Sequence, residues 1–138
     1  VGKNNYFYNR LKSSILNLKS SIILTNFIED DNLSELYKKA SLFIMPSHYE
    51  GFALPPLEAM SYGIPVASSN ATCLPEVLGS AALYFDPRNE NEMAEAIHEA
   101  LTNANLREFL KIESQKILLR YNWKKVAEKT YALYQKMV

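Results

Sequence analysis

The sequence has little with which to staple itself together or to hold itself to a membrane or a nucleic acid. Cys73 is its only cysteine among 138 residues, so no internal disulfide can form. That suits a reducing compartment, or at least a fold that needs no oxidation. There is no surplus of either charge, because 15 Lys and Arg balance 15 Asp and Glu. A nucleic-acid binder that relies on phosphate contacts needs a basic excess on one face, and so does a polybasic membrane anchor; both are disfavoured. No apolar run approaches the roughly 18 residues of a membrane span. The opening Val1-Gly2-Lys3-Asn4 is not a signal peptide. No internal repeat, low-complexity tract or metal-ligand spacing is present. What remains is ordinary globular composition, 48% hydrophobic and 22% charged, which argues against disorder and allows one domain with its own core.

The hydrophobic pattern alternates between two periods. Phe7, Leu11, Ile15 and Leu18 recur at helical spacing and predict a helix over 5–19. Ile22-Ile23-Leu24 reads as a short strand. Asn32 with Glu35 resembles a capping box opening a helix that carries Leu33, Leu36 and Tyr37. Leu42–Met45, stopped by Pro46, has the continuous apolar character of a strand buried on both faces. A helix near 56–62, a strand at 65–67, a short helix from about Leu74 and a strand over 81–85 follow. Three helical stripes close the chain, the last running through Trp123, Val126, Tyr131 and Tyr134 with Asn122 as its N-cap. Strand and helix in alternation mean an α/β fold: an open parallel sheet with helices on both faces, and a helical carboxyl-terminal end. In such sheets ligands sit beyond the carboxyl ends of the strands, and the loop after Met45 is such a place.

That loop runs Pro46-Ser47-His48-Tyr49-Glu50-Gly51-Phe52-Ala53-Leu54-Pro55-Pro56-Leu57-Glu58. Gly51 permits close backbone approach or a positive φ. Two prolines open the following helix, where their missing N–H groups cost little. The amides from Gly51 to Leu54 are therefore expected to stand unpaired at a strand end and a helix start, which makes an anion site. Glu50 in the loop and Glu58 about one turn into the helix can project into one cleft without touching. An amide nest beside two separated carboxylates suits a ligand with both phosphate and hydroxyls. Taken alone, Glu50 could equally be a solvated carboxylate and Glu58 the partner of a surface cation.

The order of some twenty positions here resembles the signature of the family 4 retaining glycosyltransferases, the Glu-x7-Glu group of GT-B enzymes. Ala53 stands where Gly is commoner, and Ser61 where Ala is. Ser68-Ser69-Asn70, Leu74-Pro75-Glu76-Val77, Phe85-Asp86-Pro87 and Asn122-Trp123 extend the likeness over nearly the whole chain. The resemblance implies a Rossmann-like carboxyl-terminal half of a GT-B enzyme, with residues 1–138 forming a single donor-binding domain. It implies that Glu50 contacts the donor sugar near the reacting carbon and that Glu58 holds the ribose hydroxyls. The amides of Gly51, Phe52, Ala53 and Leu54 would bind diphosphate and sugar hydroxyls, and Asn26, Phe27 and Ile28 would seat the nucleobase. The implied reaction is glycosyl transfer with retention of configuration, by front-face displacement in the usual proposal. The two glutamates are then not a hydrolase acid–base pair, because one serves the ribose.

The resemblance also implies a nucleotide-sugar as substrate, neither cofactor nor metal, and an acceptor that this stretch does not name. The family's basic diphosphate residues precede Val1-Gly2, and its amino-terminal acceptor domain is not in the chain. The expectation is a donor-binding fragment truncated on its amino-terminal side. It would be cytoplasmic, peripheral to a membrane if at all through the missing domain. A bared apolar patch that includes Phe52 or Trp123 is expected with it, although the Trp123 and Tyr134 stripe is also readable as packing. The alternative is a non-enzymatic flavodoxin-like regulatory or interaction module, for which Asp30-Asp31 is the one candidate acidic cluster. A phosphorylase of related design would need a pyridoxal-phosphate lysine motif, and none is found.

Overall fold

The computed structural model describes residues 6–15 and 22–137. The chain divides into two compact units, Val1–Lys39 and Ala40–Val138. The first contains helices α1 (Tyr6–Ile15) and α2 (Asp30–Lys39). The rest of the helix expected over 5–19 lies outside the described residues, as does Val1-Gly2. Residues 22–24 form no strand, against expectation. β-branched residues alone do not make one, because a strand needs a partner for its backbone groups and cover for its side chains, and Ile22 and Ile23 are both exposed. Helix α2 also starts three residues earlier than the Asn32 capping box implied, with the Leu33 amide donating to the Glu29 carbonyl at 2.9 Å. Asp30 and Asp31 then occupy the first turn and Lys38 and Lys39 the last. Both pairs oppose the helix dipole favourably, so the Asp30-Asp31 pair has a structural reason to be there.

The second unit is built on three parallel strands in the order β1 (Phe43–Met45), β2 (Val66–Ser69), β3 (Ala82–Phe85). The pairings Ile44↔Ala67 and Ala67↔Leu83 set the register. Strands β1 and β2 are joined through α3 (Leu54–Ser61). Strands β2 and β3 are joined through α4 (Leu74–Leu78) and a 3-10 turn, Gly79–Ala81. Side chains alternate across the sheet, so Ala67, Leu83 and Phe85 share one face. That face packs on α5 (Glu90–Thr102), where Ala67, Phe85 and Ala96 form a buried cluster with Leu42, Leu83 and Met93 against it. Helix α3 packs on β1 and β2, and α6 (Ala104–Leu118) packs on α3 and the 3-10 turn. The expected α/β architecture is thus present.

One burial expectation fails at β1. Ile44 is 37% exposed, so this strand is not covered on both faces. The register places Ile44 on the α5 side, and α5 packs over β2 and β3.

Polar chemistry sets the helix ends. Asn89, Asn103 and Asn122 cap α5, α6 and α7 (Trp123–Lys136), each side-chain oxygen accepting from amides of the first turn. Helix α3 closes on Gly63 (φ 73), with the Gly63 amide on the Met60 carbonyl and the Ile64 amide on the Ala59 carbonyl. That paired motif uses up carbonyls the helix would otherwise leave bare. Helix α7 buries none of its residues, and Trp123 is 79% exposed. The packing reading of its stripe therefore finds no support within the described residues, whereas the bared apolar patch does.

Two measurements follow from this frame. Gly79 ends α4 at φ 52 and ψ −130, a region essentially restricted to glycine, and a Cβ there would lie 3.0 Å from Ile117 Cδ1. Gly79→Ala is expected to lower stability by about 1–3 kcal/mol, read as a lower urea midpoint; an unchanged midpoint would show that the turn relaxes freely. Tyr84 donates to the Gly79 carbonyl at 2.7 Å, and burial pushes its phenol from 10.0 up to about 12. The unfolded phenol ionises first, so its stabilising share is whole below pH 10 and is lost as pH rises towards 12. The urea midpoint of Tyr84→Phe should fall less steeply over that range than that of the unsubstituted chain. Equal slopes would place the alkaline loss elsewhere.

Candidate functional site

The site is assembled at the carboxyl end of β1, where Pro46 stops the strand and the chain turns into the loop leading to α3. The residues expected to act fall in both units. Asn26, Phe27 and Ile28 belong to the first, and Glu50 through Glu58 to the second. In the first, Asn26 takes a left-handed backbone conformation (φ 59), which asparagine tolerates better than most residues. Phe27 and Ile28 line a shallow groove with Glu29, Asn32 and Leu36.

In the second unit the loop is ordered by what lies under it. The buried Ser69 hydroxyl, at the end of β2, donates to the Ser47 carbonyl at 2.6 Å. The Glu50 amide donates to Thr72 Oγ1 at 3.1 Å, and the Cys73 thiol donates to the Glu50 carbonyl at 3.2 Å. The main chain of Glu50 is thus held from both sides by the segment between β2 and α4. Cys73 is half-buried. Phe52 meets Tyr121 edge to face, with ring centroids 5.2 Å apart and planes at 89°, a favoured geometry for an aromatic pair. The Tyr121 hydroxyl donates to the Val77 carbonyl at 3.0 Å, which fixes that ring in turn.

Gly51 does not carry a positive φ, one of the two uses open to it. That conformation falls at Ala53 (φ 67), the buried residue that precedes α3. A non-glycine residue there costs about 1–2 kcal/mol. It turns the chain so that Leu54, Pro55 and Pro56 can start the helix. Among the described residues, the amides of Gly51, Phe52, Ala53 and Leu54 donate no hydrogen bond. Two prolines follow and add no donor. Four amides in sequence at the start of a helix concentrate partial positive charge, so this stretch can receive an anion. Glu58 is exposed one turn into α3, and Glu50 is half-buried in the loop before it. His48 is exposed beside the loop. Among the described residues no three His, Cys, Asp or Glu side chains group as metal ligands, and no helix is long and apolar enough to cross a membrane.

Thr72 and Tyr121 are contributors that the sequence did not single out, and Ser69 entered only as part of a motif, without its contact to the loop. Ser69 and Thr72 lie 22 residues from their loop partners, and Tyr121 lies further still from Phe52. No local period or spacing marks such contacts.

This arrangement has relatives. The chain is 37% identical over 118 residues to the serotype-specific mannosyltransferase WbdA of Escherichia coli, covering 86% of this chain and 14% of that protein. It is 38% identical over 109 residues to O-antigen chain mannosyltransferase B of Escherichia coli, covering 79% and 29%. It therefore spans less than a third of the length of these relatives. In structure it is similar to sucrose-phosphate synthase from Thermosynechococcus elongatus, with a TM-score of 0.86 at 24% identity, covering 99% of this chain and 37% of that one. It also resembles the carboxyl-terminal domain of the glycosyl transferase group 1 family protein LpcC from Francisella tularensis. That match has a TM-score of 0.68 at 23% identity, covering 83% of this chain and 61% of that one. These two likenesses speak to the fold. The family model for glycosyl transferases group 1 matches residues 1–117, and the chain belongs to that family.

Proposed function

We propose that this chain is the nucleotide-sugar-binding part of a retaining hexosyltransferase of the Glu-x7-Glu group. The observation that carries the reading is the run of four unpartnered amides, Gly51 to Leu54, set between Glu50 and Glu58. A diphosphate bound there receives several N–H donors and the positive end of α3, without any basic side chain. Its leaving oxygens then sit where negative charge develops as the glycosidic bond breaks. Glu50, its main chain held at both ends, faces the sugar and stabilises positive charge growing on the ring carbon. Glu58 takes the ribose hydroxyls, and Asn26, Phe27 and Ile28 are assigned to the nucleobase. The acceptor attacks on the face from which the diphosphate departs and loses its proton to that diphosphate, so configuration is retained. The reading calls for no cofactor, because the donor carries its own leaving group.

The acceptor is assigned to an amino-terminal domain of the same enzyme. The bare stripe of Trp123, Val126, Tyr131 and Tyr134 on α7 supports a neighbour of that kind, since an exposed apolar stripe of this length is ordinarily covered. The single cysteine and the nucleotide-sugar substrate suit a cytoplasmic enzyme, peripheral to a membrane only through that domain.

Two relatives are mannosyltransferases by name, which makes GDP-mannose the first donor to test, with UDP-glucose as the comparison. The chain alone is expected to bind these weakly, as amides alone supply only part of the affinity, and to turn over neither; turnover by the chain alone would refute the two-domain reading. In the complete enzyme, Glu50→Gln should lower kcat by about 10²–10³-fold, the loss that one electrostatic stabiliser brings. Glu58→Gln should raise donor KM by up to about 1.5–3 kcal/mol, the worth of a charged hydrogen bond. Steady-state kinetics at saturating acceptor separate the two, because contacts strengthened only in the transition state act on kcat and uniform ones on KM. An unchanged kcat in Glu50→Gln sinks the assignment.

A further inference from the structure

The segment between β2 and α4 holds a threonine in a conformation that threonine avoids. Thr72 has φ 51, and for a β-branched side chain the left-handed region is a true outlier. Glycine or asparagine would occupy it at less cost. The turn is pinned on both sides, by the Asn70 amide on the Phe85 carbonyl at 2.9 Å and the Leu74 amide on the Ala71 carbonyl at 3.3 Å. Thr72 is exposed, so burial of its methyl group does not explain its presence. Its one interaction of consequence is the hydrogen bond that Oγ1 accepts from the Glu50 amide at 3.1 Å. Backbone strain kept at a surface residue, with its hydroxyl directed at the main chain of a candidate catalytic carboxylate, is a pattern of functional positioning.

We infer that Thr72 is a positioning residue for Glu50. Its strained turn presents Oγ1 to the Glu50 amide, while the neighbouring Cys73 thiol takes the Glu50 carbonyl. With both main-chain groups engaged, the peptide planes flanking Glu50 cannot rotate, and the carboxylate is aimed at the sugar before the donor arrives. The neighbouring amides of Gly51 to Leu54 make no such contact and do not depend on Thr72. The inference rests on the donor-binding reading. It adds that specificity for the sugar, as opposed to the nucleoside diphosphate, is set by a residue that never touches the donor.

The test uses this chain with Thr72→Gly and Thr72→Ser. Glycine removes the acceptor and relieves the strain; serine keeps the hydroxyl and sheds the β-branch. Each form is titrated calorimetrically with GDP and GDP-mannose, and with UDP and UDP-glucose. The Tm is recorded, and exchange of the Glu50 amide is followed by NMR. In Thr72→Gly the Tm should hold or rise, the Glu50 amide should exchange faster, and GDP or UDP should bind as before. The extra affinity that the sugar confers should fall about tenfold, the scale of one lost hydrogen bond. Thr72→Ser should restore it. A sugar increment that survives in Thr72→Gly overturns the inference. So does a fall in Tm accompanied by equal loss of diphosphate and donor binding, because that is the signature of a merely structural threonine. If the unsubstituted chain binds neither the diphosphates nor the donors, the donor reading itself fails and this role with it. If it binds the diphosphates but gains nothing from either sugar, the diphosphate reading stands and the role of Thr72 falls.

Discussion

The hydrogen bond from the buried Ser69 hydroxyl to the Ser47 carbonyl, 2.6 Å long, is the constraint on which the site depends. It joins the carboxyl end of the central strand to the loop leaving the edge strand. A polar group buried at that point must find a partner or forfeit about 1–3 kcal/mol, and the partner it finds is the loop. Further along the same loop, Glu50 lies between Thr72 and Cys73, Phe52 against Tyr121, and Ala53 at the turn into α3. The sheet supplies rigidity, and a single hydroxyl passes it to a stretch of chain with no regular structure. Shared side-chain bonds of this kind let a parallel sheet carry precise chemistry on its loops.

The distribution of polar groups follows the same logic. Buried oxygens and nitrogens of side chains are all partnered among the described residues, and three asparagines close the amino-terminal ends of α5, α6 and α7. At α3, as at α4, the amino-terminal end has no side-chain cap; at α3 Ala53 stands in a strained conformation and prolines follow. A helix that would be easy to cap with serine or aspartate is instead left open. Four amides without a partner leave this helix start able to receive an anion.

Much of this was legible in the residues. Hydrophobic period placed the strands at 66–69 and 82–85 and the three last helices to within a few positions, because those segments bury a continuous face and composition follows burial. The paired prolines marked the start of α3, and Asn122 marked that of α7, because caps are local chemistry. What misled was equally local. Ile22-Ile23-Leu24 has strand composition and no strand, since pairing depends on a partner that composition cannot supply. Asn32 and Glu35 have capping-box spacing, but the dipole and the aspartates at 30 and 31 start α2 earlier. Gly51 offered the obvious site for a positive φ, and Ala53 took it. Hidden were the roles of Thr72 and Tyr121, and the contact that Ser69 makes within its motif, because these contacts span long stretches of chain and follow no period. The motif announces where the chemistry is, and the long-range contacts that hold it emerge only from the fold.

The bare stripe of α7 bears on how the chain behaves as a colloid. Trp123, Tyr131 and Tyr134 lie open to water on a molecule whose formal net charge is zero and whose pI is about 6.9. Near neutral pH, molecules so balanced have little long-range repulsion to keep their sticky faces apart. On this chain that surface is an invitation to precipitate. Solubility of this chain should therefore pass through a minimum near neutrality and recover on either side, as acquired charge holds the apolar faces apart.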